Sequence, residues 1–391
     1  MKSDEKEYLR KNIIGLSLTS LLTDISSESV YAVLPFYIKS LGYGREIIGL
    51  IDGVGELTAS IFKYLSGFIA QRIGKLKLLT IIGYSLSAFS KPFFVLAKQW
   101  PEIMIIKVID RMGKGIRTSP RDTLLAGSAG KKFRGRAFGL HRALDTVGAT
   151  IGPLIAIFLL MYFSYAGVFL FSIIPGLLAV LILSLVVKDI GYKPVKRSSS
   201  AEKHGFDYLF WLFIISIVIS GLAGYTQSFL LIRSNEIGWS KEFSIAFLVL
   251  SNLLYASLAY PIGYMSDRFG GHRLYPLVFV LQGLGAFFIV VATNYYAPLL
   301  FFLIYGAYMA FHDTLMRIMT SIYVKKYLRA KAYGIMHGSY GLSALIGFYI
   351  VGRLYDIYGY KIAFTYTALM ASLGFLVSIV LIYKTHNISR G

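Results

Sequence analysis

Cysteine is absent from the 391-residue chain, and charged residues make up only 15% of it. The absence of cysteine excludes disulfides, thiolate metal sites and cysteine nucleophiles. The scarcity of charge, together with 56% hydrophobic residues and a mean hydropathy of +0.62, is incompatible with a soluble globular protein of this length. The composition therefore indicates an all-α polytopic membrane protein.

Apolar stretches long enough to cross the hydrocarbon core, about 20 residues each, occur twelve times along the chain. The connections between them are short, which leaves almost no room for a soluble domain. The polar segment MKSDEKEYLRKN at the start lacks the apolar core of a signal peptide, so we expect the first span itself to direct insertion. The predicted spans are 13–37, 46–70, 77–98, 102–124, 135–161, 167–187, 208–232, 242–266, 274–293, 297–322, 332–352 and 362–384.

Acidic residues are also scarce, at 20 against 40 Lys and Arg, which gives a net charge of +20. If both termini are cytoplasmic, 26 of the Lys and Arg residues lie in inner segments, 7 in outer segments and 7 inside the spans, where 7 acids balance them. This distribution follows the positive-inside rule. We therefore expect a multi-pass protein of the cell (plasma or inner) membrane with cytoplasmic N and C termini, and no nucleic-acid partner.

The two halves of the chain resemble each other. The segment GFIAQRIGKLK at 67–77 aligns with GYMSDRFGGHR at 263–273, a shift of 196 residues. The segment RGRAFGLHRALDTVGATIG at 134–152 aligns with RAKAYGIMHGSYGLSALIG at 329–347, a shift of 195. Internal repeats of this kind are typical of secondary transporters, which bind solutes at the repeat interface. We predict an N-terminal six-helix bundle at 1–188, a cytoplasmic linker at 189–206 and a C-terminal six-helix bundle at 207–391.

Three local motifs resemble those of the major facilitator superfamily, and the resemblance covers essentially the whole chain. The loop after the second span reads Gly67-x-x-x-Gln71-Arg72-x-Gly74, with Gln71 where the family pattern has Asp, and the second copy keeps the acid as Asp267. The fourth span contains Arg111-x-x-Lys114-Gly115, and the fifth span carries a pattern like that of the family's antiporters. The resemblance implies twelve helices in two pseudo-symmetric six-helix bundles around a central cavity. It also implies a latch on the cytoplasmic side at Gly67, Arg72, Gly74, Gly263, Asp267, Arg268 and Gly270, and the antiporter-like pattern consists of Gly139, Gly148, Gly152 and Pro153.

The three glycines of the fifth span fall on one helical face, because their spacings of 9 and 13 residues are close to whole numbers of turns. Small residues let helices approach closely, and Pro153 removes a backbone donor and bends the helix. We interpret this face as a rocking interface between the two bundles. Ordinary packing of membrane helices is the alternative.

The fourth span carries an unusual density of charge in the stretch DRMGKGIRTSPRD at 110–122. Lys107, Asp110, Arg111 and Lys114 are spaced i, i+3, i+4 and i+7, so they form one stripe of the helix. A charge that faces lipid near mid-membrane costs at least about 2.5–3.5 kcal/mol. The stripe is therefore expected to face an aqueous cavity or an ion-pair network, and the stretch is not a phosphate-binding loop because Gly115 follows Lys114.

Proton coupling requires a carboxylate that binds a proton when it is removed from water and changes a contact when it does so. Asp24 and Glu28, one turn apart on the first span, are the leading candidates, with Arg111 as the switching partner. Glu56 and Asp145 are the next candidates. A static ion-pair network is the alternative for each of them, and Lys91, which precedes a proline, is expected to extend outward to the interface.

The C-terminal half has fewer charges and more aromatic residues inside its spans, which would suit an amphiphilic organic solute. Any single tyrosine is as readily explained by packing, because the chain contains 29 of them. We expect neither a metal site nor a cofactor. The predicted substrate-binding residues are Tyr31, Lys107, Arg111, Lys114, Arg142, Tyr225, Gln227, Asn252, Tyr305, Tyr308 and His312.

These observations favour a secondary active transporter, with a small-molecule substrate, protons and the lipid bilayer as partners, that works as a monomer. Proton-coupled antiport, with efflux of a small organic solute or drug, is the leading hypothesis. The alternative is a proton-coupled symporter or uniporter that imports an anionic or zwitterionic solute. An enzyme is disfavoured because the sequence has no HExxH motif, nucleophile elbow or compact acid–base cluster at a surface.

Overall fold

The computed structural model describes residues 3–129, 134–190, 206–292, 294–324 and 328–388. Within these ranges the regular structure is entirely helical, as predicted. The elements are α1 (Ser3–Ser40), α2 (Arg45–Ile73), α3 (Leu76–Ser90) with the 3-10 helix Lys91–Val95, α4 (Trp100–Ser128), α5 (Arg134–Tyr162), α6 (Tyr165–Phe171), α7 (Ile173–Val186), α8 (Tyr208–Leu222), α9 (Gln227–Ile237), α10 (Lys241–Phe269), α11 (Gly271–Leu274), α12 (Pro276–Val291), α13 (Ala297–Ile322) and α14 (Arg329–Ile388).

Each of the twelve predicted spans corresponds to one helix or to two consecutive helices. The third, sixth, seventh and ninth spans are interrupted, so α3 continues as the 3-10 helix and the pairs α6–α7, α8–α9 and α11–α12 each form one span. The eleventh and twelfth spans are both contained in α14, which is divided at Gly359 by a φ of +82°. The twelve-span architecture is therefore confirmed.

Three spans differ from the others in polarity. Among the described residues, eight helical segments, including the long α14, contain a strongly apolar 18-residue window with at most two charged side chains. Helices α1, α2 and α4 are not among them, although α1 spans 38 residues and α2 and α4 each span 29. These three helices carry most of the predicted interior charges, and those side chains require partners within the protein.

The chain divides into two compact units, each held together by its own internal packing. The first unit comprises residues 1–37 and 58–196, and the second comprises residues 38–57 and 197–391. The α1–α2 connection thus packs with the C-terminal half of the chain. Residues 191–205, which make up most of the predicted linker, lie outside the described residues.

The core of the first unit is formed by fully buried apolar side chains from four helices. Leu16 of α1, Tyr84 of α3, Leu124 of α4 and Leu183 of α7 belong to one cluster and are at most 1% exposed. Between membrane helices such side chains stabilise the bundle through van der Waals packing, because lipid tails are as apolar as leucine. This packing fixes the rotation of α1 and α4 about their own axes, and so determines which of their charged residues face inward.

Equivalent glycines in the two halves have equivalent conformations. Gly42 and Gly238, 196 residues apart, have φ values of +86° and +115°, and Gly74 and Gly270, also 196 apart, have φ values of +69° and +86°. Only glycine adopts such angles at little cost. The internal repeat predicted from sequence is therefore present in the backbone of both copies.

Candidate functional site

The glycines of α5 bring this helix against α1 within the first unit. A Cβ placed on Gly148 would lie 2.3 Å from the carbonyl oxygen of Leu21, and one on Gly152 would lie 2.9 Å from that of Ile25. A Cβ on Gly139 would meet no atom within 4 Å. Gly148 and Gly152 thus permit close packing within the first unit, and the rocking interface between bundles stays a prediction.

The second unit repeats this contact. A Cβ on Gly347, the counterpart of Gly152, would lie 2.3 Å from the carbonyl oxygen of Gly221 at the end of α8. The structural role of this glycine is therefore the same in both halves, namely to let the fifth span of each half approach the first.

The close approach of α1 and α5 brings two carboxyl groups near each other. Asp24 and Asp145 lie within hydrogen-bonding range of each other, and Glu28 and Lys114 lie within electrostatic range of Asp24. Asp145 also accepts hydrogen bonds from Ser20 Oγ at 2.6 Å and from Arg142 Nη1 at 3.0 Å. The nearest acidic partner of Asp24 is thus Asp145 on α5, whereas the spacing within α1 predicts Glu28. Pro153, the last residue of the α5 pattern, is buried about two turns beyond Asp145.

A buried ion pair links the 3-10 helix to α4. Lys91 is fully buried, and its Nζ lies 3.6 Å from Asp110 Oδ1. The same Nζ bonds to Ser27 Oγ at 3.2 Å and to Ser87 Oγ at 3.1 Å. Asp110 additionally accepts hydrogen bonds from Ser87 Oγ at 2.5 Å and from the Tyr31 hydroxyl. The prediction that Lys91 extends outward is wrong, because its ammonium group points inward to a carboxylate and two hydroxyls.

Two cations of the predicted α4 stripe lie against one aromatic ring. Lys107 Nζ is 3.6 Å and Arg111 Cζ is 4.4 Å from the ring centroid of Tyr31, within the range of cation–π attraction. Tyr31 is 4% exposed and Lys107 is 3% exposed, so this contact is buried within the first unit. Arg111 is half-buried and Lys114 is exposed.

Aromatic side chains form a continuous cluster in the second unit. The ring centroid of Tyr225 lies 5.5 Å from that of Tyr305 and 6.2 Å from that of Tyr308. The cluster continues from Tyr308 to His312 at 5.5 Å and from His312 to Tyr340 at 4.9 Å. The structure therefore brings together four predicted substrate residues from α8–α9 and α13, and adds Tyr340 from α14.

Two carboxylates of the second unit, Glu56 and Asp313, lie near His312 and Tyr340 of this cluster. Asp313 lies beside His312, with 3.4 Å between its Oδ1 and the imidazole Nδ1, and it accepts a hydrogen bond from the Tyr255 hydroxyl at 3.2 Å. Glu56 and Asp313 lie within electrostatic range of the Tyr340 hydroxyl. Glu56, predicted for proton coupling, thus belongs to the aromatic cluster of the second unit.

The remaining predicted substrate residues lie in different environments on several helices. Gln227 is the first residue of α9, and its backbone bonds to Tyr305. Asn252 is half-buried on α10. The Tyr225 hydroxyl points at α12, where it lies 2.4 Å from the position of a Cβ on Gly285.

The arginines of the predicted latch are exposed in the structure. The guanidinium groups of Arg72 and Arg268 lie over the rings of Phe68 and Phe269 on their own helices, at 5.8 Å and 5.3 Å. Asp267 is exposed, and a Cβ on Gly67 would lie 3.0 Å from Ser119 Oγ, whereas one on Gly263 would meet nothing within 4 Å. Gln71 lies in α2, and its side chain is outside the described part. The latch stays a prediction.

One polar cluster has no counterpart in the sequence predictions. Arg45, at the start of α2, forms an ion pair with Glu236 and a second, at 3.3 Å, with Asp356 of α14. Asp356 also accepts the backbone N–H of Glu46 at 2.7 Å, and Tyr355 donates to Glu236 at 2.5 Å. Nothing in the sequence signals this cluster, because its members come from three segments far apart in the chain and follow no motif.

Comparison with known proteins gives consistent matches along the chain. The family model of the Major Facilitator Superfamily matches residues 16–251 and 212–389. An uncharacterized MFS-type transporter of Methanocaldococcus jannaschii is 28% identical over 379 residues, which cover 95% of both chains. The quinolone resistance protein NorA of Staphylococcus aureus is 25% identical over 245 residues, which cover 61% of this chain and 63% of NorA.

Solved structures share the fold. A variant of the nucleoside transporter NupG superposes with a TM-score of 0.80 at 15% identity, with 95% of this chain and 99% of that chain covered. A bacterial homologue of the human lysosomal transporter Spinster superposes with a TM-score of 0.72 at 15% identity, with 98% and 99% covered. At this level of identity the similarity establishes the fold alone.

Proposed function

Because the chain belongs to the major facilitator superfamily and is a multi-pass membrane transporter of small molecules, we propose that it is a proton-coupled antiporter that exports a small organic solute by alternating access. The observation that carries this proposal is the carboxyl pair of Asp24 and Asp145. The similarity to the quinolone resistance protein NorA supports the direction of transport.

The carboxyl pair binds a single proton. A carboxylate only accepts hydrogen bonds, so two carboxyl groups within hydrogen-bonding range bond to each other only when one is protonated. Asp145 already accepts from Ser20 and Arg142, and these bonds hold it in the ionised form. Asp24 is therefore the group that takes up and releases the proton.

Release of this proton places two negative charges in contact. Two negative charges this close repel each other. Lys114 is a cation within electrostatic range of Asp24, and its side chain is exposed. We infer that Lys114 moves toward the deprotonated pair and changes the contact between α1, α4 and α5. Protonation would thus control the conformation of the first unit.

A second candidate function is uptake of an anionic or zwitterionic solute by symport or uniport. Helix α4 favours it, because Lys107, Arg111, Lys114 and Arg117 lie along its length and only Asp110 opposes them within the same stretch. The carboxyl pair would serve a proton-coupled symporter equally well, and the antiporter ranks first because of the similarity to the quinolone resistance protein NorA. The excess of basic residues in alternate connections supports cytoplasmic termini in either case.

The test uses purified protein in liposomes that enclose a pH-sensitive dye, under an imposed pH gradient. Norfloxacin serves as the probe for antiport, and the zwitterion alanyl-alanine serves as the probe for symport. Antiport predicts that norfloxacin dissipates the gradient in the direction of exchange, whereas symport predicts that alanyl-alanine carries protons inward with it.

The diagnostic variant is Asp24→Asn, with Asp189→Asn as the matched control, because Asp189 is exposed and accepts the backbone N–H of Lys77 at 3.4 Å, outside the carboxyl pair. We expect Asp24→Asn to abolish solute-driven proton movement and to retain solute exchange, and the control to behave as the unmodified protein. Normal proton movement in Asp24→Asn would contradict the assignment of the proton site.

A further inference from the structure

The second unit contains a cluster of aromatic and acidic side chains that we call the aromatic–acid site. It consists of Tyr305, Tyr308, His312 and Tyr340 with the carboxylates of Glu56 and Asp313. The rings of His312 and Tyr340 are 4.9 Å apart, and both carboxylates lie within electrostatic range of the Tyr340 hydroxyl. Asp313 is 35% exposed, so this carboxylate is accessible to a solute.

One buried polar atom at this site has no hydrogen-bond partner among the described residues. The imidazole of His312 is 2% exposed and lies between the rings of Tyr308 and Tyr340. Its Nδ1 lies 3.4 Å from Asp313, and its Nε2 lacks a partner. A buried polar atom left unpaired costs about 1–3 kcal/mol, so Nε2 is positioned for a group that is supplied from outside the chain.

The repeat shows how the second unit differs from the first at the same position. Tyr340 lies 195 residues after Asp145, the same offset that relates Gly347 to Gly152. The first unit therefore places a carboxylate with a bound arginine where the second unit places a phenol ring. The two halves have the same backbone contact but different chemistry, which favours a role for the second site in binding a solute through its aromatic surface.

The chemistry of the site selects the sign of the ligand charge. In the neutral imidazole with Nδ1–H facing Asp313, Nε2 of His312 can only accept a hydrogen bond, and carboxylates also only accept. Tyrosine rings attract cations through their π faces. All these groups favour a cation that carries N–H donors, whereas two carboxylates repel an anion.

We propose that the aromatic–acid site binds the protonated amine of an organic cation, with the amine held by Glu56, Asp313 and His312 Nε2 and stacked against Tyr340. This inference rests on the proposed transport of an organic solute, and it specifies the class of that solute. It does not depend on the coupling ion.

The experiment measures binding to the full-length protein in nanodiscs by calorimetry, without a pH gradient. The probes share one ring system and differ in charge: 1-naphthylmethylammonium, 1-naphthylmethanol and 1-naphthylacetate. We expect the cation to bind at least about tenfold more tightly than the other two, which corresponds to one charge-assisted hydrogen bond.

The variants localise this preference. We expect Glu56→Gln and Asp313→Asn each to weaken cation binding about tenfold and to leave naphthylmethanol binding unchanged. Glu242→Gln, a matched change near the start of α10, should have no effect. Tyr340→Phe retains the ring and should bind the cation normally, whereas Tyr340→Leu should bind it several-fold more weakly.

If a carboxylate variant fails to fold, the comparison of Tyr340→Phe with Tyr340→Leu still tests the site. Equal binding of the three probes, absence of binding, or an undiminished cation preference in the folded variants would overturn the proposal. If the cation binds as expected but moves no protons in the liposome assay, the antiport mechanism fails and the cation site stands.

Discussion

Lys91 and Asp110 form a buried ion pair, and removing Asp110 should destabilise the protein more than removing Lys91. In Asp110→Asn, the ammonium group of Lys91 keeps only the hydroxyls of Ser27 and Ser87, at 3.2 Å and 3.1 Å, while fully buried. Breaking a buried pair in this way costs about 3–5 kcal/mol of unfolding free energy. We therefore expect this variant to be destabilised by about that amount.

In Lys91→Met the loss should be smaller. Asp110 keeps the hydrogen bonds from Ser87 and Tyr31, and Arg111 remains within electrostatic range of its carboxylate. The methionine side chain also fills much of the volume of the lysine. We expect a loss of about 1–3 kcal/mol, corresponding to a buried charge that remains hydrogen-bonded.

The double variant Lys91→Met/Asp110→Asn isolates the interaction. Because it leaves no uncompensated charge, it should be more stable than Asp110→Asn alone, with a coupling energy of about 0.5–3 kcal/mol. Equilibrium unfolding of the purified protein in mixed detergent micelles, monitored by circular dichroism, measures all four forms. Equal losses in the two single variants, or a double variant no more stable than Asp110→Asn, would refute this account of the pair.

Two further substitutions test other contacts. Gly148→Val should separate α5 from α1 and cost at least about 1–3 kcal/mol of unfolding free energy, with loss of solute-driven proton movement. Gly139→Val should leave both unfolding and transport unchanged, because a Cβ at this position would meet no atom of the described residues within 4 Å. Asp356→Asn removes a partly exposed partner of Arg45, so thermal denaturation at low salt should show a loss of only about 0.2–1 kcal/mol that shrinks at high salt. A loss well above this range would mean that the pair is more deeply desolvated than its exposure indicates.

The span architecture could be predicted from the sequence because it depends on local properties. The length of an apolar stretch determines whether a helix can cross the membrane, and this length is read directly from the chain. The repeat is also readable, since Gly74 and Gly270 occupy equivalent turns that require positive φ. The number of spans and the two-fold internal repeat are therefore available before any tertiary structure.

The contacts of individual polar residues could not be predicted from the sequence. The proline after Lys91 predicts a side chain that extends outward, yet Lys91 is fully buried. The spacing within α1 pairs Asp24 with Glu28, one turn away, yet its contact is with Asp145 on α5. In both cases the decisive polar neighbour lies on another helix, which the spacing of residues within one helix cannot reveal.

The sequence by itself determined that this protein spans the membrane twelve times, that its halves are related, and that its first half carries the interior charge. Only the tertiary structure decided which charges meet, because that depends on the rotation of each helix about its axis and on how closely two helices approach. At Gly148 and Gly152 the missing side chains permit that approach, and the contact between Asp24 and Asp145 follows from it.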